Sequence, residues 1–296
     1  MSVTENIPPE IAWEETALKE TARAKVNLTL HVGPVQENGY HPLHSLVVFA
    51  DIGDELDGQL AKEFSLKIKG PFANETPSGS ENLIIKTASA IAKHNHAQAK
   101  LAYELNKKLP VSSGIGGGSA DAAATLRLLS RAENVSWSGQ AESFLPFGAD
   151  VPVCYLSRTC VMEGIGEKIL PWPGLGQISA ILINPSVSVS TKEVFEKFDA
   201  VGVSSDFSLA SGSLLDMAQS GRNDLQAIAI HMQPIIKTVL DEIDRQDGCQ
   251  LARMSGSGAT CFGLFTSQVK ARHAVKTLSK AHPDWWCVQV MLGDQS

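Results

Sequence analysis

The chain lacks a basic excess: 25 Lys and Arg stand against 32 Asp and Glu in 296 residues, a formal charge of −7. General nucleic-acid binders carry a basic surplus, so that class is set aside. A small anionic ligand stays open, because a local pocket can be positive on an acidic protein. No apolar run approaches the ~18 residues that a membrane helix needs, so no membrane association is expected. Bases are scarce at the start, where Glu5, Glu10, Glu14, Glu15 and Glu20 accompany a single Lys19. Secretory and organellar leaders begin basic or acid-poor, so a cytoplasmic location is the expectation. The five cysteines (Cys154, Cys160, Cys249, Cys261 and Cys287) form no C-x-x-C pair. That argues against a disulfide scaffold and a zinc site, and leaves buried thiols in a reducing compartment. Internal repeats and low-complexity tracts are absent too, and Gly and Pro, at 24 and 14, are near average usage.

What is present is enough chain for one large domain or two ordinary ones. Ala22, Ala24, Val26, Leu28, Leu30 and Val32 alternate with Thr21, Arg23, Lys25, Asn27, Thr29 and His31. This predicts a half-buried strand with Lys25 and Asn27 on one face, about 7 Å apart. Asn38-Gly39 marks a tight turn, and His44–Ile52 returns as a central strand. Further strands are expected around Phe64–Ile68, Leu101–Leu105, Ile178–Ile183, Cys249–Ser255, Ala259–Phe265 and Trp285–Leu292. Helices are expected over Asn82–His94, Ser119–Ala132, Asp224–His231, Pro234–Gln246 and Gln268–Ala281. Ser190-Thr191-Lys192-Glu193 reads as a capping box opening another. Val201–Gly221 is Ser- and Gly-rich and reads as a connection. Strands and helices interleave without strict βαβ order, which favours α+β in two lobes, the second beginning after about Met162.

The strongest chemical signal is Ser113-Gly114-Ile115-Gly116-Gly117-Gly118-Ser119-Ala120-Asp121, running straight into an Ala-rich helix. Glycines permit close backbone approach and positive φ, and free N–H groups at a helix start favour phosphate. The Walker lysine is missing after Gly118, and Ser119 stands where the dinucleotide motif needs glycine. A flexible linker is the competing reading. Gly148-Ala149-Asp150-Val151-Pro152 places a carboxylate before a helix, where it could simply cap N–H groups. Ser255-Gly256-Ser257-Gly258 is either a second anion nest or a plain turn between strands. Lys25 alone could be a solvated strand residue, and Tyr40-His41 after the turn could be core edge or ligand platform.

Together, Ala24-Lys25-Val26-Asn27-Leu28, the glycine-rich loop without a Walker lysine, and the late Gly256-Ser257-Gly258-Ala259-Thr260 resemble the three motifs of the GHMP kinases. Asn38-Gly39-Tyr40-His41, Gly148–Pro152 and Glu163-Gly164-Ile165-Gly166-Glu167 bring the resemblance nearest to members whose alcohol is a methylerythritol carrying cytidine diphosphate. It spans roughly residues 22–266. It implies a two-lobed α+β fold with the active site in the cleft. An N-terminal ATP-binding lobe would cover residues 1–165 and a C-terminal substrate lobe residues 166–296, with the last strand allowed to return to the first lobe. The implied reaction moves the γ-phosphoryl of ATP to the 2-hydroxyl of that alcohol, in the non-mevalonate route to isoprenoid precursors.

By the same resemblance Asp150 is the catalytic carboxylate and Lys25 its partner. Asn27 and Thr191 contact the methylerythritol and phosphate part. Tyr40 and Phe195 sandwich cytosine and His41 reads its edge. Pro110, Val111, Ser112, Ser113, Gly114, Ile115, Gly116, Gly117, Gly118, Ser119 and Ala120 form the ATP phosphate loop, with Asn82, Leu83 and Lys107 around adenine. A monomer or weak homodimer is the expectation for the assembly. Two departures stand out: the leader before Thr21 is long, and Asp121 occupies a place where Asn can occur. No magnesium carboxylate is evident, so Mg²⁺ is expected to ride mainly on ATP, with no metal site on the protein. A kinase of another small alcohol shares the loop but has no need of Tyr40, His41 and Phe195. A nicotinamide oxidoreductase is disfavoured by Ser119, and a non-catalytic binding module by the presence of both Lys25 and Asp150.

Overall fold

The computed structural model describes residues 17–37, 39–93, 98–137, 141–199 and 211–294. In chain order the first part holds β1 (Leu18–Asn27), β2 (His31–Val32), β3 (Leu43–Ala61), β4 (Ser65–Lys69), α1 (Leu83–Lys93), β5 (Lys100–Asn106), α2 (Gly117–Ala132), α3 (Val151–Leu156), β6 (Cys160–Gly164) and β7 (Lys168–Pro171). The second part holds β8 (Gln177–Asn184), α4 (Thr191–Asp199), α5 (Leu214–Ser220), α6 (Gln226–Met232), α7 (Ile235–Asp244), β9 (Cys249–Met254), β10 (Cys261–Phe265), α8 (Gln268–Ala281) and β11 (Trp286–Gly293).

The strands form one connected path, β4-β5-β3-β11-β8-β10-β9, with β1, β2 and β6 also on β3 and β7 on β6. Only β4 and β5 pair in parallel among these named strands. That is the α+β arrangement expected from the interleaving, not a doubly wound sheet. β3 can be the spine because Leu46–Ala50 is apolar on both faces and wholly buried. Two lobes follow from where apolar side chains collect. One core packs α1, α2 and α3 on β3 and β5. A second packs α4, α6, α7 and α8 on β8 and β10. A third, built from β1, β3, α5, β8, β10 and β11, fills the space between. Within the second core Ile236, Val239, Leu240 and Ile243 give α7 its buried stripe at helical spacing.

Several expectations change. The expected strand Thr21–Val32 is split into β1 and β2 and is not half-buried throughout: Thr21 is exposed, but Lys25, Asn27, Thr29 and His31 are buried along with the apolar face. The glycine-rich loop and a second-half turn cover it, since Lys25 N donates to Ile115 O at 3.0 Å and Asn27 N to Ser255 Oγ at 3.1 Å. The helix after the loop begins at Gly117, two residues early, because Ala120 N already bonds Gly116 O at 2.8 Å. The stretch read as a connection contains α5, started by a full capping box between Ser213 and Asp216. Its residues 201–210 lie outside the described residues, as do Asn38 of the expected turn and residues 1–16 of the leader. Met162 does not open a second half: β6 pairs with β3 and makes a hairpin with β7, and residues 165 and 166 lie in the turn between them. β11 runs along β8 and touches β3 at Leu292↔Ala50. Of the thiols, Cys154, Cys160 and Cys261 are buried, whereas Cys249 and Cys287 are only partly so.

Candidate active site

A cavity of about 500 Å³ opens between the lobes, with the glycine-rich loop on one wall and α4 and the Gly-Ser-Gly turn on the other. Gly114 and Gly116 take the left-handed φ values of +77° and +66°. A Cβ on Gly114 would lie 2.5 Å from Ser255 O, and one on Gly116 would lie 3.3 Å from Lys25 Cβ. The loop is therefore wedged between β1 and the turn after β9, and only glycine fits. Ser113 Oγ donates to Pro110 O at 2.7 Å, Ser255 Oγ to Gly114 O at 3.0 Å, and Thr260 N to Ser113 O at 3.0 Å. Gly117, Gly118 and Ser119 follow as the first turn of α2 and line the cavity. No side chain caps this helix start, so its N–H groups and dipole are offered to an anion.

Lys25 Nζ donates to Asp150 Oδ1 at 2.7 Å, the lysine 5% and the carboxylate 34% exposed. Asp150 stands at the N-cap of α3 yet makes no capping bond, which removes the reading of it as a structural cap. Asn27 Nδ2 donates to Ser45 Oγ at 2.7 Å, while its buried Oδ1 has no partner among the described residues. Across the cleft, Thr191 Oγ1 and Ser257 Oγ share a hydrogen bond of 2.8 Å, and Ser190 Oγ accepts from Glu193 N, one of the two bonds of the expected capping box. His41 packs against Phe195 with ring centroids 5.1 Å apart. Its Nδ1 meets Gly33 O at 2.9 Å, and its Nε2 lies 3.3 Å from Asp199 Oδ1.

Beneath the helix start, Lys107 Nζ donates at 2.6 Å both to Asp54 Oδ2 and to Asp121 Oδ2. Burial opposes the Lys107 charge, but Asp121 and Asp54 outweigh it and raise its pKa. Burial lifts Asp121 to about 7 against the pull of Lys107. Asn82 caps α1, its Oδ1 accepting from Ile84 N at 2.9 Å and its Nδ2 donating to Pro77 O at 2.8 Å.

Two family models match the chain, GHMP kinases N terminal domain over residues 82–158 and GHMP kinases C terminal over residues 206–284. A 4-diphosphocytidyl-2-C-methyl-D-erythritol kinase from Rhodopseudomonas palustris is 43% identical over 92% of this chain and 96% of its own length. One so named from Nitrobacter winogradskyi is also 43% identical, over 95% and 96%. The chain belongs to this family of GHMP kinases. A solved 4-(cytidine 5'-diphospho)-2C-methyl-D-erythritol kinase superposes with a TM-score of 0.75 at 29% identity, covering 94% of this chain and all of that one. A homoserine kinase from Cytophaga hutchinsonii, at 17% identity and a TM-score of 0.60, shares the fold.

In this kinase the cavity brings together Lys25 and Asn27 of β1, Asp150 before α3, and Thr191 and Phe195 of α4. Asn82, Leu83, Lys107, Val111, Ser112, Ser113, Gly114 and Gly116–Ser119 line it as well. Pro110, Ile115 and Ala120 do not: they are buried behind the loop, Ile115 in the core between the lobes. Tyr40 is 57% exposed and His41 sits behind Phe195, so neither lines the cavity. The positive φ expected along the loop is confined to Gly114 and Gly116 within the glycine run, since Gly117 and Gly118 are helical. Sequence reasoning missed Asp54 and the supporting Asn223, whose Nδ2 donates at 2.8 Å to both Met254 O and Gly256 O. Ser255 and Ser257 were signalled by their glycine neighbours. Asp54 carried no local signal.

Proposed function

We propose that this kinase transfers the γ-phosphoryl of ATP to the 2-hydroxyl of 4-diphosphocytidyl-2-C-methyl-D-erythritol. The observation that carries the reading is the Lys25–Asp150 pair, set in one cavity between an uncapped helix start and the Thr191–Phe195 face of α4. Phosphoryl transfer has a loose transition state, so positioning and charge neutralisation do most of the work. The N–H groups of Gly117–Ser119 hold the nucleotide phosphates, and Asn82 and Leu83 border the adenine. Asp150 Oδ1 is occupied by Lys25, which leaves Oδ2 to orient the substrate hydroxyl and accept its proton late, as the bond to phosphorus forms. The Lys25 ammonium offsets charge on the migrating group. Asn27 Oδ1, unpartnered in the wall, accepts from the polyol.

Mg²⁺ supplies further charge neutralisation when it arrives with ATP. Ser119, which lines the cavity at the start of α2, would complete a cation shell supplied mainly by phosphate and water. Among the described residues no group of three or more His, Cys, Asp or Glu could hold a metal on its own. Elements before about residue 165 carry the nucleotide site, and α4 after it faces the alcohol, to which Asn27, Tyr40, His41 and Asp150 also contribute. Where the substrate extends beyond the cavity, Phe195 and the exposed Tyr40 stack the cytosine. His41 reads the base edge through Nε2, the ring nitrogen not engaged by Gly33 O. ³¹P NMR on a mixture of kinase, ATP, Mg²⁺ and the cytidyl alcohol should show a new phosphomonoester at the 2-position. Equal phosphorylation of bare methylerythritol or mevalonate would overturn the substrate assignment and leave a GHMP kinase of another alcohol.

A further inference from the structure

The glycine-rich loop leaves β5 at Lys107 and re-enters regular structure at Gly117, and both stems converge on one buried cluster. Lys107 Nζ bonds Asp54 Oδ2 and Asp121 Oδ2, each at 2.6 Å, with side chains 3%, 0% and 5% exposed. Asp54 Oδ1 also accepts from the backbone N–H of Lys108 at 2.6 Å and of Leu109 at 2.9 Å. One carboxylate on β3 thus holds the outgoing stem, and a second, on the first turns of α2, holds the returning helix through the shared ammonium. The cluster lies directly under the helix start, where a Cβ on Gly117 would come within 3.3 Å of Lys107 Nζ and 3.8 Å of Asp54 Oδ2. Its formal charge is −1 when both carboxylates are ionised, and it sits on the anion-binding end of α2. Such a cost is not explained by phosphate attraction, which it opposes. It is explained by geometry: four charge-assisted bonds fix the spacing of the two stems between which the phosphates must fit.

We propose that Asp54, Lys107 and Asp121 form a clamp that pre-sets the phosphate loop, and that Asp121, although it borders the cavity, is a positioning residue for ATP that acts through Lys107. The inference rests on the loop being the ATP phosphate site.

Asp121→Ala is the diagnostic variant, because it leaves the Asp54–Lys107 pair intact and neutral. Lys107→Met would strand two buried carboxylates and is unsuitable. Steady-state kinetics with ATP and the cytidyl alcohol each varied, and calorimetric titration of a non-hydrolysable ATP analogue, are run beside the wild type. The expected result for Asp121→Ala is a roughly ten-fold rise in KM and Kd for the nucleotide, an unchanged KM for the alcohol, and kcat within about threefold of wild type. Amides of residues 110–117 should exchange hydrogen faster. Asp121→Asn keeps an oxygen acceptor for Lys107 and should restore most of the nucleotide affinity. Wild-type nucleotide affinity in Asp121→Ala, or a fall in kcat with both KM values unmoved, overturns the clamp. Failure of the wild type itself to bind the analogue would instead overturn the ATP-site reading on which the clamp depends.

Discussion

Asp150→Asn is the sharpest perturbation of the proposed chemistry, because it changes one oxygen for one nitrogen at the reacting centre. The amide oxygen can still accept from Lys25 Nζ, which now donates to Oδ1 at 2.7 Å. The NH₂ group then replaces Oδ2. A hydroxyl that donated to a carboxylate meets a donor instead, and no base remains to take its proton. Loss of a positioned general base is worth ~10²–10⁴ in rate, or about 3–5 kcal/mol in the barrier. The fold should survive. Asp150 is 34% exposed, the oxygen contact to Lys25 persists, and α3 loses no cap, so the stability cost should stay below about 2 kcal/mol. ADP release measured with both substrates varied should show kcat falling by those two to four decades, with KM for ATP little changed. Calorimetric ATP affinity should match the wild type. A turnover within about threefold of wild type, in a variant that melts normally, would remove Asp150 from the mechanism.

Lys25→Met keeps the aliphatic stem and removes the charge, and transfer should slow by a comparable margin; an unchanged rate would make Lys25 structural. Gly116→Val forces a β-branched residue into φ +66° with its Cβ against Lys25, so calorimetric ATP binding should be lost. Phe195→Ala should weaken the cytidyl substrate by ~1–3 kcal/mol while sparing ATP, read as separate KM values. Burial holds Asp121 near 7, well above the ~3.9 of an unfolded chain. The native state keeps a proton that the unfolded chain has shed, so this group favours the fold less as pH climbs from about 4 to about 7. Melting curves of Asp121→Asn should therefore fall less steeply than wild type across that window.

Much of the site is legible along the chain because its chemistry is written in short contiguous motifs. The run from Ser113 to Asp121 announces a loop that opens a helix, and the uncapped start of α2 lies within two residues of the expected place. The alternation of Thr21–Val32 marks the strand that carries Lys25 and Asn27, and most of the helices follow from apolar spacing and capping residues. What failed was burial. Alternation measures the contrast between two faces of a strand, and it cannot register that distant backbone will cover the polar face. The packing of Ile115 and Ser255 over β1 puts Lys25 in the interior, and that packing needs segments about 90 and 230 positions away. The same limit hides Asp54. Among acidic residues of a long strand it looks like any solvent-facing carboxylate, and only the convergence of β3, the loop stem and α2 makes it a partner of Lys107. It also decides Tyr40 and His41: the order of residues sets them beside each other, but α4 determines that the imidazole lies behind Phe195 while the phenol stays outside. Local sequence determined which groups the protein owns and which backbone shapes are allowed, since φ preference and helix starts are short-range properties. The pairing of charge with counter-charge was decided by tertiary structure, because burial excludes water and makes an ammonium seek carboxylates wherever the fold delivers them.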